Sequence, residues 1–275
     1  MSGPGDEGRL PMPWTGSTAE RLGDVRVNTP TRPRARVIDR TVERPRSVEA
    51  PGRNEEEYVP RTRMEGLNRF FNVVLAAIGL ALTLPILIIV ALLIKATSRG
   101  PILYTQTRVG LDRRWRRTLA LRESRQEDLG GQVFTIYKLR TMRVDAEKVS
   151  GAVWATENDP RVTTLGKYLR KYRIDEVPQL WNVLLGDMNI VGPRPERPSI
   201  VARLRHDIPE YRYRHRVKPG LTGLAQINQK YDACLDDVRA KVSWDLRYIR
   251  EQSLWLDIRV MLQTVPSVLL KFQGW

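Results

Sequence analysis

Two adjacent carboxylates, Asp175 and Glu176, stand two residues ahead of Pro178, between stretches with helical patterning. That position lies at or near a helix N-terminus, where free backbone N–H groups stabilise carboxylates and phosphates alike. Arg170, Lys171 and Arg173 precede the pair, and Gly192-Pro193-Arg194-Pro195-Glu196 follows it. Acidic groups able to hold a cation are thus set among basic groups able to hold an anion. A capped helix with a solvated charge cluster would show the same residues.

The Arg194 segment is more specific. Pro193 and Pro195 fix the backbone on both sides of a single arginine, so its guanidinium leaves a stiff loop and loses little entropy on gripping a phosphate. Lys138-Leu139-Arg140-Thr141-Met142 closes a predicted strand, and strand alternation would send Lys138 and Arg140 to one face, a pairing suited to a diphosphate or to a solvated edge. Arg216-Val217-Lys218-Pro219-Gly220-Leu221-Thr222-Gly223 joins cations to a Pro-Gly turn, where a backbone can approach a ligand closely. It lacks the spacing of a P-loop.

Several chemistries are excluded by count. Cys234 is the one cysteine and His206 and His215 are the two histidines, so neither an intrachain disulfide nor a Cys/His zinc site can be built. A metal would need oxygen ligands, which favours magnesium. The net charge of +15 asks for anionic partners: nucleic acid, acidic lipid or a phosphorylated substrate. No helix-turn-helix or RNA-binding pattern accompanies the basic residues.

The elements that must position these groups follow from patterning. Residues 1–63 hold eight of the 18 prolines, with charges that nearly cancel, and are expected to be a disordered tail. No signal peptide is expected at the start of the chain. The run Phe70–Ile94 has 25 residues without a charge, long enough at ~1.5 Å per residue to cross a ~30 Å bilayer core. Pro85 interrupts it, so a kinked spanning helix and a helix that turns back are both open; Arg61, Arg63 and Arg69 before it, with Lys95 and Arg99 after it, put basic residues at both ends. Beyond it, 101–110 and 131–142 are predicted strands joined by a basic linker, Asp112–Gly130. Residues 161–172 and 177–188 are predicted helices, the second with Pro178 in its first turn and Gly186 as its stop. Residues 243–275 are amphipathic to apolar, with Trp244, Trp255 and Trp275 suited to a membrane interface or a packed terminal helix.

These segments, in this order behind a proline-broken apolar helix, resemble the bacterial sugar transferase family, the monotopic polyprenyl-phosphate phosphoglycosyl transferases. The resemblance covers roughly residues 65–271. It rests on KLRTM (138–142), IDEVPQLWNVLLGDMNIVGPRPE (174–196), RHRVKPGLTGLAQIN (214–228) and WDLRYIREQSLWLDI (244–258), the second being long and specific.

The resemblance implies an α+β, mostly helical fold. It comprises a tail (1–63), a re-entrant membrane helix broken at Pro85 (64–97) and a catalytic domain (98–275) on the cytoplasmic face of the bacterial inner membrane. It implies that Asp175 attacks the β-phosphate of a nucleotide diphosphate sugar, a UDP-sugar by family habit, and that polyprenyl phosphate then accepts the sugar phosphate. Asp175 and Glu176 would form the catalytic pair and hold Mg2+. Lys138, Arg140, Arg170, Arg194 and Lys218 would bind phosphate, with Pro193, Pro195 and Asp245 in support. The lipid bilayer is a further implied partner, a homo-oligomer is possible, and nucleic acid is not expected. A catalytically inactive scaffold and a membrane-tethered nucleic-acid-binding protein are the competing readings. Three departures stand out: Lys218 where the family commonly has arginine, Leu224 in place of a common tryptophan, and the long 112–130 linker, read as a surface or membrane-contact insertion. They bear on sugar preference and docking rather than on reaction type.

Overall fold

A computed structural model describes residues 58–116, 129–144, 146, 159–229 and 234–270. Most of the expected tail, most of the 112–130 linker and Trp275 lie outside the described residues. The last part of that tail is not free: Tyr58 stacks on Tyr213 with ring centroids 4.9 Å apart, Arg61 N–H donates to the Ile249 carbonyl, and Arg63 pairs with Asp257 at 3.1 Å. The folded unit therefore begins before residue 64.

Helix α1 spans Glu65–Thr97, with Glu65 in the first turn and Lys95 in the last, each matched to the helix dipole. At 33 residues it is about 50 Å long, and its apolar length is sufficient to cross a membrane. Helical structure continues through Pro85, so the interruption expected there is not an end of the helix; proline removes one hydrogen bond while both flanking turns persist. Leu82, Leu84, Ile86, Ile88, Ile89 and Leu92 are exposed around it.

Both ends of α1 are fastened to the domain. Near the start, Arg69 donates to the carbonyls of Val183 and Leu184, and the Asn72 side-chain oxygen accepts the Ile190 N–H at 2.6 Å. At the far end the Arg140 guanidinium donates to the carbonyls of Arg99 and Ser98 at 2.8 and 2.9 Å. Apolar packing follows the same pattern. Ala76 joins Ile136, Val183 and Met188, and Val90 and Ile94 join Leu139 and Leu169.

Strands β1 (Leu103–Val109) and β2 (Val133–Leu139) form an antiparallel ribbon with Tyr104 opposite Lys138. Helix α2 (Thr164–Lys171) is capped by the Thr163 hydroxyl, which accepts the Gly166 N–H at 3.0 Å. A 3-10 turn, Ile174–Glu176, leads into α3 (Gln179–Leu185), which ends on Gly186 at φ +92° as its sequence predicts. The rest of the predicted 177–188 helix is a turn leading to a strand, β3 (Asn189–Val191), which pairs in parallel with β4 (Gly220–Thr222). Three-residue strands carry too little alternation to be legible in sequence.

Helix α4 (Pro198–Asp207), a 3-10 segment (Pro209–Arg216) and α5 (Leu224–Asn228) lead to α6 (Leu235–Glu251) and α7 (Leu254–Leu270). Val109, Val201, Leu204, Tyr211, Val242, Ile249 and Val260 belong to the main core, which backs the loop after β3.

That loop crosses the turn before β4 with no space for a side chain. A Cβ on Gly192 would stand 2.5 Å from the Lys218 carbonyl oxygen and 2.9 Å from Gly220 N. Gly192→Ala is expected to destabilise the protein by about 1–3 kcal/mol. Gly66→Ala, where the new methyl meets nothing within 4 Å, should change stability by less than about 0.5 kcal/mol. Thermal unfolding of both variants in detergent tests the contrast.

Candidate active site

Asp175 and Glu176 sit on the 3-10 turn between α2 and α3, and both are buried. The turn is entered through Arg173 at φ +54°, the one non-glycine residue with positive φ among those described. This left-handed step costs on the order of 1 kcal/mol, and it reverses the chain so that Arg173 faces the carboxylate three residues later.

Glu176 is clamped. Its Oε1 accepts from Lys138 Nζ at 2.8 Å and from Arg194 Nη2; its Oε2 accepts from Arg173 Nη1 and Arg194 Nη1, each at 3.3 Å. Burial pushes its carboxyl up, but Arg194, Lys138 and Arg173 outweigh that and hold it well below the usual range. Asp175 is the opposite case. Its carboxylate accepts no hydrogen bond among the described residues, and burial raises its pKa from 3.8 to about 6. Lys138 opposes that shift, Glu176 adds to it, and Arg170 and Arg194 oppose it. One carboxylate is thus an anchor, and its neighbour is a basic group with open lone pairs.

Arg170 adds a donor without a protein acceptor beside the pair. Its Nη1 is buried and has no hydrogen-bond partner, although the side chain is close enough to Asp175 to lower its pKa. A buried guanidinium N–H left unsatisfied is costly and points to a ligand that would accept from it. Lys138, Arg170, Arg173 and Arg194 outnumber the two carboxylates by two positive charges. Burial lowers the Lys138 pKa, which Glu176 counteracts.

Two residues singled out with this group lie elsewhere. Strand β2 ends at Leu139, so alternation does not carry Arg140 to the side of Lys138. Its backbone N–H pairs with Ile102, and its guanidinium caps the end of α1. Lys218 has Arg69, Arg113, Asp187 and Glu65 as its main electrostatic neighbours.

The proline-flanked loop presents Arg194 as its sequence suggests, but its rigidity has more sources than the prolines. Pro193 O accepts from Gly220 N–H at 2.9 Å, Arg194 O from Arg214 Nη2 at 2.9 Å, and Pro195 O from Arg108 Nη1 at 3.1 Å. Asp245 is fully buried against Arg214. Glu196 pairs with Arg108 and Lys241 at 3.2 and 3.3 Å; those cations outweigh burial and bring its pKa to about 2. Tyr248 donates to Asp257 at 2.7 Å, with its oxygen 3.2 Å from the Val191 carbonyl. Sequence reading missed Arg108, Arg214 and Tyr248 as supports of the site. They lie 87, 20 and 57 residues from the carbonyls they reach, and spacing holds no trace of such contacts.

A match to the model of the bacterial sugar transferase family covers residues 63–271. The chain belongs to that family. The chain is 40% identical over 206 residues to a UDP-N-acetylgalactosamine-undecaprenyl-phosphate N-acetylgalactosaminephosphotransferase of Aeromonas hydrophila, a match spanning 75% of this chain and 44% of the relative. It is 40% identical over 211 residues to a UDP-glucose:undecaprenyl-phosphate glucose-1-phosphate transferase of Escherichia coli strain K12, spanning 74% and 41%. A protein of the same name in Caulobacter vibrioides is 41% identical over 215 residues, spanning 77% of this chain and 73% of the relative. The chain thus spans under half the length of the first two relatives.

The opposite shifts of the two carboxylates give opposite pH signatures. Asp175, with its folded pKa raised, stabilises least above about pH 6, so Asp175→Asn should be more stable than wild type there, by on the order of 2 kcal/mol, with the gain fading below about pH 4. Glu176, with its folded pKa depressed, contributes stability above its ordinary 4.5 that is lost as pH falls, so Glu176→Gln should be less stable at neutral pH. Unfolding midpoints measured from about pH 2 to 8 would show the Asp175→Asn advantage growing between about pH 4 and 6 and the Glu176→Gln deficit shrinking as pH falls below about 5.

Proposed function

We propose that this sugar transferase moves a sugar 1-phosphate from a nucleotide diphosphate sugar, a UDP-sugar, to a polyprenyl phosphate through an aspartyl phosphosugar intermediate. The observation that carries the reading is the division of labour at the buried pair: Glu176 clamped by three cations, Asp175 raised to about 6 and bound by none. The relatives' names supply the donor and acceptor classes.

Asp175, ionised above about pH 6, directs an oxygen at the β-phosphorus of the donor. The new P–O bond forms as the bond to the bridging oxygen breaks, and that oxygen leaves on the nucleoside monophosphate. Attack by an anion on an anion is repulsive, so charge must be screened; Arg170, with its unsatisfied N–H, and Arg194 and Lys138 provide the screen. A phosphate oxygen of the polyprenyl phosphate then attacks the same phosphorus and releases the Asp175 carboxylate, leaving a polyprenyl diphosphate sugar. Both steps conserve charge without a net proton transfer from the protein.

The donor set fits magnesium. Among the described residues no three His, Cys, Asp or Glu side chains converge, which disfavours a cage made wholly of protein. Mg2+ commonly takes one or two carboxylates and completes its shell with waters and substrate phosphates. Asp175 has the open lone pairs for this, and Glu176 would join by releasing one of its cations. When bound, Mg2+ would neutralise charge on the diphosphate and the leaving group.

The anchor reading is supported by how α1 is fastened. Arg69 and Asn72 tie its beginning, and Arg140 ties its end, to the same folded domain. A helix that crossed a bilayer would have its ends in different aqueous compartments, so entry and exit on one face, the cytoplasmic face of a bacterial inner membrane, fit better. Exposed Trp255, Leu262 and Val265 on α7 and Trp181 and Leu185 on α3 suit the headgroup region of that membrane.

Release of nucleoside monophosphate tests the reaction. Detergent-solubilised protein with Mg2+, polyprenyl phosphate and a panel of UDP-sugars should release UMP with at least one donor. Asp175→Asn should lower turnover by at least about 10³-fold, and kcat/KM should rise with pH through a midpoint of about 6. Substantial activity in Asp175→Asn would rule out the aspartyl intermediate.

Thiol labelling tests the anchor. In a Cys234→Ser background, cysteines placed at Gly66 and Thr97 should both react with an impermeant reagent from the cytoplasmic face. Labelling of the two from opposite faces would show a spanning helix.

A further inference from the structure

Arg194 has an unusual mounting. Pro193 has its φ locked by its own ring, and Pro195 confines the residue before it to extended conformations. The torsions left soft are Pro193 ψ and Arg194 φ, which turn the Arg194 carbonyl and side chain together, so that fixing the carbonyl fixes the direction in which the guanidinium leaves the loop. One side chain holds that carbonyl: Arg214 Nη2 donates to it at 2.9 Å.

Arg214 is placed for little else. Its side chain is 1% exposed and cannot reach substrate through solvent, and its charge is met by Asp245, 2% exposed, at 2.7 Å from Nη2 and 3.0 Å from Nε. Nη1 donates to the Tyr211 hydroxyl at 2.7 Å, and the guanidinium lies over the Tyr211 ring, 4.9 Å from its centroid. All three guanidinium nitrogens are thereby committed, and the plane of the group is determined. A buried ion pair contributes little net stability over apolar residues of the same shape, because desolvation offsets the Coulomb attraction. What apolar residues could not supply is the hydrogen bond to the Arg194 carbonyl.

We propose that Arg214, with Asp245 as its counter-charge, is a positioning residue: by holding the Arg194 carbonyl it sets the angle at which the Arg194 guanidinium meets Glu176 and the donor diphosphate. The proposal rests on the phosphoglycosyl transfer reading for its kinetic consequence, and on geometry alone for its structural one. Lysine would keep the charge at position 214, but as a point donor it cannot serve Asp245, Tyr211 and the carbonyl together.

A double-mutant cycle separates positioning from a merely structural role. Arg214→Lys should lower kcat/KM for the donor by about 10- to 100-fold, and Arg194→Ala by a similar factor. In the Arg194→Ala background, Arg214→Lys should cost less than about twofold further, because there is no guanidinium left to position. Losses that multiply, or an Arg214→Lys protein with wild-type kinetics, would overturn the proposal. A second measurement does not need turnover. In protein labelled with 15N-arginine, the Nε–H resonance of Arg194, identified by its disappearance in Arg194→Ala, should shift or broaden in Arg214→Lys while the thermal transition stays cooperative. An unmoved resonance in a folded variant overturns the proposal. Should Arg214→Lys not fold, Asp245→Asn, which preserves shape and removes the counter-charge, takes its place in both arms with the same expected results. Should the wild type turn over no donor, the transfer reading has failed and the resonance alone decides the positioning role.

Discussion

Two carboxylates are buried side by side on a single turn, and the protein must make that tolerable. Burial raises the energy of each ion, and each raises the energy of the other. The structure answers asymmetrically. Lys138, Arg173 and Arg194 converge on Glu176, which remains ionised at low pH, while Asp175 receives only the longer-range influence of the same cations and stays near a pKa of about 6. A carboxylate in that state is ionised at neutral pH but poorly satisfied, which is the condition the proposed nucleophilic role needs. Had the cations been shared evenly, neither group would be both charged and available.

This asymmetry makes demands on distant parts of the chain. Lys138 must arrive from the end of β2, Arg173 through a left-handed step, and Arg194 from a loop beyond β3. The loop is the most heavily supported of the three. Carbonyls along it are held by Arg214, Arg108 and the Gly220 N–H, and two of those donors are charged groups with counter-ions of their own: Arg214, buried with Asp245, and Arg108, partly buried with Glu196. Glycine at 192 is required because the turn before β4 crosses within van der Waals distance.

The apolar helix belongs to the same mechanical system. Arg69 closes the end of α3, the helix that follows the carboxylate pair, and Asn72 takes the N–H of Ile190, within the strand that leads to the Arg194 loop. Arg140 closes the helix at its other end, two residues beyond Lys138. Both arms of the site are therefore braced against the long apolar helix, and the position of the site relative to that helix is set by bonds rather than by a flexible linker.

The sequence by itself determined the adjacency of Asp175 and Glu176, the proline-flanked Arg194, the apolar helix and the β1–β2 ribbon. These are local: proline geometry, strand alternation and long apolar runs act between neighbours in the chain and leave a readable pattern. It also determined the family, through the long motif around the pair. Where alternation was extended past the end of β2, it grouped Arg140 with Lys138, and motif position put Lys218 among the phosphate-binding residues; in the fold Arg140 caps the end of α1, and Lys218 has Arg69, Arg113, Asp187 and Glu65 as its main electrostatic neighbours. Only the tertiary structure decided which carboxylate is clamped and which is left open, and that Arg214, Arg108 and Tyr248 hold the loop. Those outcomes depend on burial and on contacts between residues tens of positions apart. A charge's energy in the interior is set by what surrounds it in space, and the order of residues along a chain does not record that.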